Sequence, residues 1–155
     1  MRKRWLAHVW MALLGALIAG GPAAAEPSAL ATAERLLAAF NQHDPDAMAA
    51  LVSEDFELYY VSEGKTELGA QGREDLRAQM VGYFAERPTV RSEIEDRIDG
   101  PRFASFRERA GSLHADGSHR SASSLAVYEV VDGLIIRVWY YPAEAPRKTP
   151  PADQQ

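Results

Sequence analysis

Cysteine is absent from the 155-residue sequence, which excludes a disulfide framework, lipid attachment through an N-terminal cysteine and a thiol nucleophile. Positive charge is also short, with 17 Lys and Arg against 22 Asp and Glu, for a formal net charge of −5. Nucleic acid and anionic lipid surfaces select basic patches, so neither is expected as a partner. There is no glycine-rich phosphate loop and no Ser-His-Asp order. Long apolar runs are missing as well. The stretch from Trp5 to Gly20 falls short of the roughly 20 residues a membrane span needs.

That short run sits in a telling context. Arg2, Lys3 and Arg4 precede it, and the small residues Ala23-Ala24-Ala25 follow just before Glu26. This is the pattern of a cleavable signal peptide over residues 1–25, cut after Ala25. It predicts export to the periplasm or the medium, with no membrane attachment after cleavage. Three positive charges leave with the segment, taking the net charge from −5 to −8. At the other end, "PAEAPRKTPPADQQ" is proline-rich and polar, so residues 143–155 are expected to be a disordered tail. Residues 26–142 remain as one domain, long enough for a real core.

Within that domain Ser28 is a plausible helix cap, and Leu30, Ala33, Leu36, Leu37 and Phe40 recur at helical spacing up to Asn41–His43. Asp44 and Pro45 open a second, short helix. "DFELYYV" alternates as a strand, and Ser62 to Gly72 read as a polar, glycine-containing loop. Leu76, Met80, Val81 and Phe84 form the stripe of a third helix, stopped by Pro88. Four strands follow, around Gly100-Pro101, Asp116-Gly117 and Asp132-Gly133. Helices segregated from a mostly antiparallel sheet make an α+β domain.

The first helix with its ending "AAFNQHDPDAMAALVSEDF", the glycine-led helix "GREDLRAQM" and the closing "YEVVDGLIIRVWYY" together resemble the SnoaL-like domains of the nuclear transport factor 2 and ketosteroid isomerase-like superfamily. The resemblance implies a cone, in which a strongly curved sheet wraps round three helices and encloses an apolar pocket. It also implies homodimers paired through the outer sheet face. Pairing across Asp132-Gly133 places Leu125, Val127, Val131, Leu134, Ile136, Val138 and Tyr140 on one face, with Glu129 among them. Ser124, Ala126, Tyr128, Val130, Ile135, Arg137, Trp139 and Tyr141 fall on the other. The second set is expected to line the pocket and the first to meet a partner subunit.

Ketosteroid isomerases use a helix tyrosine, a carboxylate base and a protonated acid on a later strand. By the resemblance these positions fall on Leu36, Tyr60 and Ala126, so that mechanism is not expected. Glu108 and Asp96, on neighbouring strands, are the candidate acid–base groups, since a carboxylate on the pocket side has a raised pKa. Arg107 or Arg137 is then the candidate holder of an anionic group, with Tyr60, Tyr128 and Trp139 packing on an apolar body. The opposing reading makes Asp96, Glu108, Arg107 and Arg109 cross-strand ion pairs on a wet face, and alternation alone does not say which face is inside. His114, Asp116 and His119 flank a turn, and His43, Asp44 and Asp46 serve helix ends, so no metal site is expected. No cofactor is expected either. The function expected is that of an exported pocket protein for a small apolar or partly anionic molecule, with cofactor-independent proton transfer of isomerase, cyclase or dehydratase type. The alternative is a non-catalytic, dimeric ligand-binding or protein-interaction module of the cell envelope.

Overall fold

The structure, a computed structural model, describes residues 27–141. The expected signal peptide and the expected tail lie outside the described residues. Helix α1 (Ala29–Gln42) begins where the Ser28 hydroxyl accepts the Ala31 N–H at 3.1 Å. It ends at His43, whose φ of 54° is the left-handed turn that closes many helices. Asp44 then caps α2 (Pro45–Ala50), accepting from the Ala47 N–H at 2.9 Å. Both starts follow from short polar side chains satisfying amide groups that have no partner within the helix.

Strands β1 (Val52–Ser62) and β2 (Lys65–Gln71) precede α3 (Arg73–Glu86). Strands β3 (Arg91–Asp99), β4 (Phe103–Leu113), β5 (His119–Val131) and β6 (Leu134–Tyr140) complete the chain. They form one sheet in the order β2-β1-β6-β5-β4-β3, antiparallel throughout except where β1 runs parallel to β6. The domain is the expected α+β fold, with three helices against a curved sheet. The core lies between them, built from Leu36, Leu37, Met48, Phe56, Leu76, Phe84, Phe106, Tyr128 and Val138 among others. Each large apolar side chain buried there is worth about 1.5–3 kcal/mol.

Two expectations fail locally. Residues 62–72 are not simply a loop, because Lys65–Gln71 is the edge strand β2, joined to β1 by a turn at Glu63 and Gly64 with φ of 52° and 73°. Its side chains are mostly exposed, so no apolar pattern marks it; backbone pairing with β1 makes the strand. Val81 also leaves the expected helix stripe and is exposed, while Tyr83 packs against the core instead.

Irregularities in the ladders decide which side chains face inward. The β5–β6 turn has φ of 51° at Asp132 and 73° at Gly133, the two positive values of a tight hairpin. Val131 pairs with Leu134 and Val130 with Ile135, but Glu129 then pairs with Arg137. Ile136 is therefore an extra residue on β6. A slip of one residue sends every later side chain to the opposite face. Likewise the β3–β4 pairing shifts between Glu95 and Ile98, and Asp96 within the shift has φ of 47°.

Candidate functional site

Beyond the bulge, Val138 and Tyr140 of β6 turn inward beside Tyr128 and Ala126 of β5. The same face of β4 carries Ala104, Phe106, Glu108 and Ala110. Against this wall stand Leu36, Leu37 and Phe40 of α1, Met48 of α2, and Leu76, Met80 and Tyr83 of α3. Phe56, Leu58 and Tyr60 of β1 close the side. Together they enclose a mostly apolar cavity of about 560 Å³, a size suited to a small organic molecule. Tyr60 lies over Gly69, where an added Cβ would meet its ring at 2.5 Å and the Leu58 side chain at 2.8 Å. The glycine is what lets that aromatic wall settle against β2.

Glu108 is the one acid among the described lining residues, and no Lys, Arg or His joins it there. It is only 8% exposed. One carboxylate oxygen accepts from the Ser92 hydroxyl at 2.5 Å, and the other from the Tyr140 hydroxyl at 2.7 Å. Tyr140 and Tyr128 hydroxyls are 2.8 Å apart. With the Tyr140 proton directed at Glu108, Tyr128 must be the donor to Tyr140. Four adjacent strands thus supply one chain of hydrogen bonds: Ser92 from β3, Glu108 from β4, Tyr128 from β5 and Tyr140 from β6.

Burial pushes the Glu108 carboxyl above the ordinary glutamate range, and the hydrogen bonds from Ser92 and Tyr140 pull it only part of the way back. Burial raises both Tyr128 and Tyr140 well above a normal tyrosine, with the Glu108 charge adding to the effect. Tyr60 is raised too, first by burial and then by Tyr83 and Glu108. The tyrosines therefore stay neutral donors at neutral pH, and Glu108 is the group placed to exchange a proton there.

The candidate residues divide between the two faces. Glu108, Tyr60 and Tyr128 line the cavity. Asp96 does not: the irregularity in β3 turns it out, 71% exposed, to pair with Arg107 at 2.9 Å. Arg137 and Trp139, expected inside, stand on the outer face because Ile136 shifts their register. Arg137 pairs there with Glu57 at 2.8 Å and Glu129 at 3.2 Å. Trp139 stacks on Tyr59, with ring centroids 6.5 Å apart. Val138 and Tyr140 conversely leave the set expected to meet a partner subunit.

Ser92 and Tyr140 were not among the sequence candidates. Tyr140 was hidden by the bulge. Ser92 has no motif of its own, although Ile94 pairs with Glu108 and so makes Ser92 its diagonal neighbour on the same face. The positions corresponding to the isomerase tyrosine and base, Leu36 and Tyr60, both line the cavity, and the acid position, Ala126, is fully buried beside it.

A family model of the SnoaL-like domain matches residues 33–138. No curated protein matches the chain in sequence. Among solved structures, a cystatin-fold protein of Novosphingobium aromaticivorans is similar at 26% identity and a TM-score of 0.64, covering 74% of this chain and 97% of that one. A ketosteroid isomerase of a Mycobacterium species aligns at 17% identity and a TM-score of 0.59, over 74% of this chain and 92% of its own. A nuclear transport factor 2-like protein of Cytophaga hutchinsonii aligns at 14% identity and a TM-score of 0.56, over 71% and 95%. At those last two identities the likeness is one of fold.

Proposed function

The chain belongs to the SnoaL-like domain family, and on that premise we propose that it binds a small apolar molecule in the cone and moves a proton on it with Glu108, without a cofactor. The observation that carries the reading is a buried carboxyl facing an apolar cavity with neutral donors alone around it. An ionised Glu108 takes a proton from a weakly acidic C–H of the ligand. Returning it at a second carbon completes an isomerisation, and expulsion of a leaving group after its removal completes an elimination. The Tyr128–Tyr140 chain and Ser92 hold the carboxylate oriented while it changes charge. A partly anionic ligand loses its support, since Arg107 and Arg137, the cations that would hold it, are engaged on the outer face.

Two further parts of the proposal rest on other features. Export rests on the sequence of residues 1–25. Pairing of two copies through the outer sheet face rests on its apolar side chains: Leu125, 49% exposed, with Phe103 and Ile98 also exposed and the Tyr59–Trp139 stack alongside. Soluble monomers rarely leave such a patch uncovered. A Leu125→Asp variant is expected to sediment as a monomer where the parent sediments as a dimer; a parent that is itself monomeric overturns the pairing.

The proton-transfer reading is tested with 5-nitrobenzisoxazole, a neutral ring opened by any well-placed base. Removal of its ring C–H proton breaks the N–O bond and releases a coloured cyanophenolate. The protein is expected to accelerate the opening, and Glu108→Gln to abolish the acceleration. Equal rates for the two proteins remove Glu108 from any such role.

A further inference from the structure

The cavity has a sign. Its described lining holds one acid, Glu108, and no cation, while seven aromatic residues, two phenylalanines and five tyrosines, also line it. Burying a ligand carboxylate beside an ionised Glu108 would set two like charges in an apolar space whose described lining holds no cation to offset them, an unfavourable arrangement. A neutral ligand meets no such opposition. A cation gains twice, from the carboxylate and from the negative faces of the rings. One ring of this wall already carries a cation: the exposed Arg87 guanidinium lies 4.8 Å from the centre of Tyr83 and donates to its hydroxyl at 3.2 Å. The glutamate also retains acceptor capacity, because Ser92 and Tyr140 take one site on each oxygen and a carboxylate offers about four.

We infer that the cavity is selective for an organic cation, a protonated amine or iminium on an apolar body, over a neutral or anionic molecule of the same shape. The inference deepens the proposed function and rests on the reading of this cavity as the ligand site. It gives Glu108 a second role, as counter-ion to the bound ligand.

Three probes with one body and different charge test it: 2-(naphthyl)ethylammonium, 2-(naphthyl)ethanol and naphthylacetate, each titrated at neutral pH by fluorescence. The ammonium is expected to bind about tenfold or more tighter than the alcohol, which corresponds to about 1.4 kcal/mol, and the acetate weakest. Glu108→Gln is expected to remove the advantage of the ammonium while leaving the alcohol bound, and Glu108→Asp to keep part of it. An ammonium that binds no tighter than the alcohol overturns the inference and leaves the cavity standing as a ligand site. An acetate that binds best, or an ammonium advantage that survives Glu108→Gln, overturns it as well. Failure of all three probes to bind sinks the inference together with the proposed function.

Discussion

Two carboxylates are buried in this sheet, and their surroundings differ. Glu108, on the inner face of β4, is 8% exposed and is met by a serine and a tyrosine. Glu129, on the outer face of β5, is 4% exposed and is held by Arg102 at 2.5 and 2.8 Å and by Arg137 at 3.2 Å. Arg137 in turn pairs with Glu57 on β1. The outer carboxylate is thus the centre of an Arg–Glu–Arg–Glu network across neighbouring strands. Its charge is offset by geometry that nothing needs to disturb. The inner one keeps an uncompensated carboxyl at the cavity wall, and a group in that condition is one whose proton is available for exchange. Burial alone does not separate a structural acid from a chemical one; the charge of its neighbours does.

Substitution at each site should break the contrast in opposite ways. Glu108→Gln keeps the shape and removes the base, so base-catalysed opening of the benzisoxazole is expected to fall by a factor on the order of 10² to 10⁴, with a melting temperature no lower than the parent's. The double change Arg102→Ala with Arg137→Ala leaves Glu129 buried and unpaired. It should destabilise the fold by about 3 kcal/mol, the low end for breaking a buried ion pair because both arginines are partly exposed, and denaturant titration reads it. Catalysis per folded molecule should hardly move. If the arginine pair instead lowers the rate and leaves stability alone, the two faces have been assigned the wrong way round.

A smaller effect sharpens the inner site. Tyr140→Phe removes one donor to the ionised Glu108, a hydrogen bond that holds its pKa down, so that pKa should rise further. The pH at which the rate is half-maximal should climb with it. A residue that merely packs would lower the rate at every pH without moving that midpoint.

Stability carries the same sign. A carboxyl whose folded pKa lies above its unfolded value binds its proton more tightly in the folded state. Its contribution is therefore fully present below the unfolded value and is lost as pH rises through the folded one. In Glu108→Gln that loss with rising pH should disappear, a difference visible in melting curves taken on either side of the window.

The contrast between the faces also marks where sequence reasoning reaches. The helices and five of the six strands were legible because apolar spacing and short polar caps set them locally, as Ser28 and Asp44 do. Strand β2 was not, because Lys65–Gln71 lies at the sheet edge with few buried side chains, and pairing rather than burial defines it. Glu108 stood out as a carboxylate on a strand, yet alternation offers two faces and cannot name the inner one. Ile136 was the costlier omission. One unpaired residue exchanges Tyr140 for Trp139 and Val138 for Arg137 at the cavity wall, and nothing in "LIIRVWYY" marks where the register slips.

The central claim is that Glu108 holds an uncompensated, proton-exchanging carboxyl, and the most direct test is to titrate that group. Carbon-13 NMR of protein labelled at the glutamate side-chain carboxyl, with Glu108→Gln used to assign the resonance, follows its ionisation with pH. The account predicts a midpoint above the roughly 4.3 of an unperturbed glutamate, moving higher still in Tyr140→Phe. A midpoint at or below that ordinary value would mean that the hydrogen bonds to Glu108 fully compensate its burial, and would contradict the account.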